Sequence, residues 1–398
     1  MNNPKLRFPE FSGELVEKKL GDIAIFSKGK NISKDDISDE GVLCIRYGEL
    51  YTTYEEKISK VFSKTNLDPS KLVFSKENDV IIPTSGETAI DLATASCVLD
   101  SGIAIGGDTT IIKVEGNGLF ISYYLNSKKT SIAKLAQGAS VVHLYSSHLK
   151  TIDIKVPEIG EQEKISHFLS IVDDKLDFIE KKRDLWKTYS AGMMQQLFSQ
   201  KLRFKEENGE DYPDWETGTI KDVMVQKIRK VKKPESSYWR LGLRSHAKGT
   251  FHEFVTDPTK IAMDYLFVVR ENDLILNITF AWEHAIALAD KEDENLLVSH
   301  RFPTYQFFEN VNPLFYKYFV KLPKFKYELM NISPGGAGRN RVMRKNDFLK
   351  IEIPIPSKSE QNKIANFLSI IDNKLEQIEK EFIINQEFKK GLLQQLFC

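Results

Sequence analysis

The sequence predicts an α+β protein made of one unit written twice. Each copy is a mixed α/β globular domain followed by a long heptad-patterned helix, and the two helices pair antiparallel about an internal pseudo-two-fold axis. Three observations carry this expectation. Residues 161–199 and 360–398 align without a gap at an offset of 199, with about half their positions identical. Within both segments the apolar residues recur at intervals of four and three, the seam of a coiled coil. Upstream of each lie short alternating runs rich in β-branched residues, which read as strands.

In chain order, the first copy opens with Lys-Leu-Arg-Phe at 5–8, and the second repeats it at 201–204. Leu20-Gly21-Asp22-Ile23 is echoed by Ile220-Lys221-Asp222-Val223, and ENDVII (77–82) by ENDLIL (271–276). Strands are expected at 42–47, 80–83, 109–114 and 152–156 in the first copy. The second copy offers 238–243, 274–278, 303–308 and 351–355. A short helix fits 119–129 and its counterpart 314–324.

The long helices follow. Ile165, Leu169, Val172, Leu176 and Ile179 form the seam of the first, continued by Trp186, Met193 and Leu197. Ile364, Leu368, Ile371, Leu375 and Ile378 form that of the second, continued by Phe382, Leu392 and Leu396. Ser357 and Glu360 after Pro356 fit a capping box at a helix start. At 1.5 Å per residue each helix is roughly 55–60 Å long. Neither stripe is stable in water alone, and each copy is the other's nearest partner. Arg183 and Ser190 interrupt the first seam, Asn385 and Lys389 the second; these read as a solvated stretch, a register device or a place where a partner protein docks. The second domain must join the end of helix one to the start of helix two. Antiparallel helices let it close locally over one end, with the first domain at the other. The expected domains are therefore 1–157 and 200–356, with helices at 158–199 and 357–398.

Composition narrows the function. Of 398 residues, 41% are hydrophobic and 28% charged, and formal net charge is zero, so any nucleic-acid binding must come from local patches. Three dispersed cysteines form neither a disulfide framework nor a zinc site. The N-terminus lacks an apolar signal core, and no run approaches the ~20 apolar residues of a membrane span; a cytoplasmic setting with no membrane partner is expected.

No motif marks an active site. Asn312-Pro313-Leu314-Phe315 resembles an amino-methyltransferase signature but lacks its second proline. Gly118-Leu119-Phe120 takes the same place in copy one without Asn-Pro, so Asn312 reads as a helix N-cap. Glu180-Lys181-Lys182 lies on an outer helix face rather than in a nuclease cluster. The seven histidines have no metal-ligand spacing, and no P-loop or Ser/His/Asp pattern is present.

Basic clusters carry more. Residues 227–248 hold eight Lys/Arg against one acid, with Tyr238 and Trp239 interleaved. The stretch 335–344 joins a glycine run to Arg339, Arg341 and Arg344; its counterpart 137–143 is polar and less basic. Arginine suits guanine edges and phosphates, and glycine admits close backbone approach. Two reading domains on one helical rod would address two separated half-sites on a duplex.

At this point the residues match a known family. The order domain, E-Q-x-K-I-x-x-F-L-S-x-x-D-x-K-L helix, domain, same helix resembles the specificity subunit of type I restriction-modification systems. The Q-Q-L-F ends at 195–198 and 394–397, the KLRF segments, C-I-R-Y-G-E-L-Y-T (44–52) and the run 135–145 are similar to that family too. The resemblance implies two target recognition domains joined by the antiparallel helices, in a non-catalytic chain that reads a split double-stranded DNA target. It also implies that the helices recruit two methyltransferase subunits and then restriction/translocase subunits, with AdoMet, ATP and Mg²⁺ on those partners and no cofactor on this chain. The family does not hand over contact residues. Charge and loop position suggest Lys28, Lys30, Arg46, Tyr47, Ser85 and His143 in the first domain. In the second they suggest Arg240, Arg244, His246, Arg301, Arg339, Arg341 and Arg344. Two rival readings remain, a self-contained DNA enzyme and an interaction scaffold that binds no nucleic acid.

Overall fold

The computed structural model of the chain describes residues 4–30, 32–138, 141–335 and 341–397. The chain divides into two compact units: unit 1 runs to Lys181 and takes in the stretch from Glu379, and unit 2 is Lys182–Ile378. Each unit therefore contains one globular domain, the start of its own long helix and the end of the other.

The two units share a scaffold. In unit 1 the central sheet runs Ala24–Lys28, Thr109–Val114, Asp79–Pro83, Ser96–Val98, with Lys57–Ile58 at its edge. In unit 2 the order Met224–Lys227, Thr304–Phe307, Leu274–Leu276, Ile286–Leu288 repeats it. A two-strand ribbon accompanies each: Val16 pairs with Val156 in the first, Glu216 with Ile355 in the second. All eight expected strands form. The strands missed are mostly short or polar ones such as Val16–Lys19 and Lys230–Lys232, where alternation is too brief to read. The units diverge in a further sheet. Unit 1 has four short strands ordered Ala104–Ile105, Val42–Ile45, Ser63–Thr65, Ile37–Ser38, and unit 2 has five around Tyr238–Leu243.

The sequence echoes have local causes. In END, Asn78 and Asn272 hold left-handed φ values of 75° and 65°. The next aspartate then accepts the backbone N–H three residues back, Asp79 from Lys76 at 2.8 Å and Asp273 from Arg270 at 2.9 Å. Asparagine tolerates that conformation, and aspartate closes the turn. Asn312 caps its helix, accepting from Leu314 N at 2.9 Å with Pro313 in the first turn. The first copy does keep the cap: Asn117 accepts from Phe120 N at 2.8 Å. The helix expected over 314–324 ends at Phe319, and a second begins at Pro323, because proline cannot continue the backbone ladder.

The long helices run Ile159–Phe198 and Lys358–Leu396, 40 and 39 residues. In unit 1, Ile165, Leu169 and Val172 share a core with Leu392, Leu396 and Phe397, so the start of one helix lies beside the end of the other. In unit 2, Ile364, Leu368 and Ile371 share a core with Leu197. Both pairings are antiparallel. Ile179 and Ile378 are buried, while Leu176 and Leu375 are partly so.

The repeat is strongest where domain meets helix. Arg7 of the first KLRF grips Glu161 with two 2.7 Å bonds, and Arg203 of the second grips Glu360 at 3.1 and 2.9 Å. Gln162 and Gln361 each donate 2.8 Å to the carbonyl of the proline ahead of the helix, Pro157 and Pro356. They accept from Asn117 N at 3.1 Å and Asn312 N at 2.8 Å. The expected capping box is half formed. Ser357 Oγ accepts from Glu360 N at 3.3 Å, but the Glu360 carboxylate turns to Arg203 and to Trp215 Nε1 at 2.8 Å. An arginine fork outcompetes a neutral backbone donor for a buried carboxylate.

In the second helix the seam interruptions are not a solvated stretch. Asn385 and Lys389 are buried. Lys389 Nζ lies 2.8 Å from Asp173, 2.8 Å from Glu56 and 3.4 Å from Glu55. Burial alone would lower its pKa, but Glu56 and Asp173 hold it charged and raise it. Tyr123 donates to the same Asp173. Unit 2 keeps the tyrosine–aspartate pair, Tyr318 Oη to Asp372 at 2.9 Å, while Ser190 replaces the lysine by the repeat.

Candidate nucleic-acid interface

Backbone pairing at one end of the central sheet gathers the candidates in unit 1. Gly29 N donates to Thr109 O and Lys30 N to Ile105 O, both 2.9 Å, while Gly106 N donates 2.8 Å to Ile45 O. The approach is so close that a Cβ on Gly29 would stand 2.0 Å from the Gly106 carbonyl, so only glycine fits. Lys28 and Lys30 flank it, both exposed. Arg46 and Tyr47, just after Ile45, line a cavity of about 780 Å³ with Ser33, Lys34, Asp36 and Asp108. Asp108 leads onward, since Thr84 N donates 2.7 Å to its carbonyl.

Ser85 follows Thr84 and pairs with His143 as a short antiparallel ribbon. The Ser85 side chain is buried and His143 is exposed. Tyr145 stacks on His143 with centroids 6.2 Å apart and is half exposed. It joins the candidates although the sequence reading passed over it. A polar, aromatic-bearing surface thus runs from Arg46 past Asp108 to His143.

In unit 2 the segment 278–284 is the hub. Ile278 N donates to Arg301 O at 2.9 Å, and Met343 N to Ile278 O at 2.8 Å. The latter repeats Leu144 N to Thr84 O, 3.0 Å, in unit 1, so Met343 and Leu144, equivalent by the repeat, are held at the same edge. The Arg341 guanidinium lies 5.2 Å from the Trp282 ring centroid, a cation–π contact that holds its charge at the surface. His246 N and Ala247 N donate to the carbonyls of Glu283 and His284, 2.8 and 2.7 Å.

His246, Ala247 and His284 all have left-handed φ, 63°, 50° and 66°. Such conformations in non-glycine residues persist where surroundings over-determine them, commonly at binding sites. His284 itself is buried and donates to Val320 O at 2.6 Å. Burial lowers its pKa, so it serves the fold as a neutral ring. Arg244 donates to Thr250 O and lies 5.5 Å from the Phe251 ring.

The segments that carry Arg244, His246, Arg301 and Arg341 are therefore brought together. Arg240 faces Glu253 across adjacent strands through bonds of 2.8–3.0 Å, which offsets its charge. It lines a cavity of about 470 Å³ with Lys260, His300 and Arg301. Arg344 is exposed near Asp347, and Arg339 lies outside the described residues. Two cations in the early half of the basic run 227–248 serve the fold. Arg229 binds the buried Asp273 at 2.6 and 3.1 Å, and Lys233 Nζ donates to Ile261 O at 2.6 Å. Charge counting along the chain could not separate these from surface arginines. Trp282 carried no sequence signal, because its contact with Arg341 joins residues distant in sequence.

Among the described residues no group of three or more His, Cys, Asp or Glu side chains could hold a metal ion. No helix among them is long and apolar enough to cross a membrane.

Comparison with known proteins assigns this arrangement. The pattern of the type I restriction modification DNA specificity domain matches twice, over residues 13–185 and 212–386, and the chain belongs to that family. It carries two DNA specificity domains in one polypeptide, and its relatives are recognition subunits rather than enzymes. It is 26% identical to the type I restriction enzyme MjaVIII specificity subunit of Methanocaldococcus jannaschii, over 98% of this chain and 92% of that one. At the level of fold it is similar to the S subunit of a type I restriction-modification system from M. genitalium. That match has a TM-score of 0.63 at 16% identity and covers 100% and 99% of the two chains. A second chain, described for complex assembly and conformational transition of the type I R-M system, matches with TM-score 0.51 at 14% identity over 98% of each. The chain is thus a type I restriction-modification specificity subunit: it recognises DNA within a multisubunit complex and is non-catalytic, as its family is.

Proposed function

We propose that each globular domain, 1–157 and 200–356, reads one half of a split double-stranded DNA target. The paired helices, 158–199 and 357–398, then serve as spacer and docking site for two methyltransferase subunits and, through these, restriction/translocase subunits. The observation that carries this reading is one scaffold built twice with unlike loops on the same edge. Unit 1 offers Lys28, Lys30, Arg46, Tyr47 and His143, with Ser85 beneath. Unit 2 offers Arg244, His246, Arg301 and Arg341, with Arg240, Arg344 and Arg339 as further candidates. Different side chains on equivalent edges suit two different half-sites, and phosphate contacts by the arginines position the duplex while base edges are read. AdoMet, ATP and Mg²⁺ act on the partner subunits, in the cytoplasm beside the chromosome.

The test is a genome-wide map of methylated adenines in a host carrying the complex, with and without this chain. A split motif that vanishes on deletion is expected. A continuous palindrome, or an unchanged map, overturns the proposal. Adenine methylation by the purified chain with AdoMet alone would favour the self-contained enzyme instead.

A further inference from the structure

The five-strand sheet around Tyr238–Leu243 is the part of unit 2 that differs from unit 1, and one of its faces holds a cavity of about 470 Å³. Strand alternation decides which side chains meet there. Arg240 pairs with Glu253 and Gly242 with Phe251 across the two strands, and Tyr238 lies on the same face. All five residues line the cavity, and the stretches 260–263 and 297–302 complete its walls. The alternate residues Leu241 and Leu243 enter a separate core.

The floor is apolar: Tyr238 and Leu266 are buried there, with Ile261, Met263 and Leu297 packed against them. One wall is aromatic. A Cβ on Gly242 would collide with the Phe251 ring, so glycine lets that ring lie on the strand. Phe251 is still 37% exposed, and the Arg244 guanidinium lies 5.5 Å from its ring centroid. The rim is cationic, with Lys260, His300 and Arg301 exposed along it. Lys260 keeps Asp257 at 3.7 Å, a surface pair worth little. Among the described lining residues the one carboxylate is Glu253, and Arg240 offsets it through bonds of 2.8–3.0 Å.

An apolar floor with a ring beside it suits a flat heterocycle, and a cationic rim suits an anion. A nucleotide carries both. A double helix is too wide for a cavity of this size, which falls in the range of small-ligand sites, whereas a single nucleotide outside the stack can enter. Position favours the same ligand. Ile278 N donates to Arg301 O at 2.9 Å, so the residue at the rim also borders the edge where the duplex is read. Sheet faces that combine rings with basic side chains are common platforms for unpaired bases.

We propose that this cavity binds one unpaired nucleotide, its base on the floor beside Phe251 and Tyr238 and its phosphate at Lys260 and Arg301. A nucleotide everted from the bound duplex gives up the stacking and pairing of one base to enter; a free nucleotide presents the same chemistry without that cost. The proposal rests on the reading that unit 2 reads DNA and adds the form in which one nucleotide is held.

The test uses the full chain without methyltransferase subunits, so that no other protein everts a base. Fluorescent analogues replace in turn each base of the unit 2 half-site in a duplex, read at saturating protein. A rise of roughly fivefold at one position is expected as that base leaves the stack. In parallel, the four deoxynucleoside monophosphates are titrated by saturation-transfer NMR. Ala262→Trp, at an exposed position lining the cavity, is expected to abolish whichever signal the wild type gives, with unfolding temperature unchanged. Lys260→Glu should weaken it roughly tenfold through the loss of one charge-assisted contact. A position-specific rise that Ala262→Trp removes supports the site with the duplex as source. Monophosphate binding that the same variant removes, without any rise, supports the site with free nucleotide as source. Neither signal in the wild type, or a signal that both variants leave intact, overturns the proposal. A wild-type chain that binds monophosphates at the cavity but no duplex overturns the DNA-reading assignment of unit 2 and supports the cavity.

Discussion

Replacing Lys389 with methionine removes the charge from the buried cluster of unit 1 while keeping most of the side-chain volume. Its ammonium is 11% exposed and Asp173 9%, with contacts of 2.8 Å to both Asp173 and Glu56. Removing one partner of a buried ion pair costs ~3–5 kcal/mol, because the charge left behind is uncompensated. Two effects hold the expected value near ~3 kcal/mol: Glu55 is largely exposed, and Asp173 can take up a proton. For a unit of this size that is a fall of roughly 6–12 °C in unfolding temperature.

The pH dependence gives the sharper readout. Burial already raises the Asp173 pKa, against the opposing pull of Lys389, and removing the lysine raises it further. A group with a raised folded pKa favours the fold below its ordinary range and loses that contribution as pH rises through the folded value. The destabilisation should therefore be full at pH 7.5 and shrink through the acid range as Asp173 protonates. Thermal unfolding at pH 7.5 and 4.5, with hydrogen exchange along 379–397, measures both. A loss below ~0.5 kcal/mol, the range of ordinary surface substitutions, or an equal loss at the two pH values would refute the reasoning.

Other expectations follow from the same geometry. Arg203→Ala strands Glu360, whose side chain is fully buried, and should destabilise unit 2 by ~3 kcal/mol in denaturant unfolding; Arg7→Ala should do the same to unit 1 through Glu161. Tyr318→Phe removes a 2.9 Å bond to Asp372 and should cost ~1–3 kcal/mol by the same assay. Charge reversal at Arg341 and Arg344 should abolish methylation dependent on the unit 2 half-site while the unit 1 half-site is still read, seen by methylating paired half-site oligonucleotides. Neutralising Arg341 alone should lower the salt slope of DNA binding by about one if it contacts a phosphate.

Periodicity made the duplication, the long helices and eight of the strands legible, because spacing along a chain follows directly from helical and pleated geometry. The short polar strands, and the break at Pro323 inside an otherwise helical run, were not legible: one lies below the length at which alternation is visible, the other turns on a single backbone donor. Of the basic residues, Arg341 on Trp282 and Arg229 on Asp273 look alike in sequence. One stays at the surface and the other is bound into the fold.

By itself the sequence determined that the protein is a repeat with a shared helical part and diverged domains, since a repeat and a heptad are properties of order along the chain. Tertiary structure decided what the repeated residues do. Arg7 meets Glu161, and Arg203 meets Glu360, more than a hundred and fifty positions away. It also decided that Lys389 closes a buried acid cluster rather than breaking a seam. Burial and charge pairing depend on which distant segments converge, and in a single chain read alone no local pattern records that.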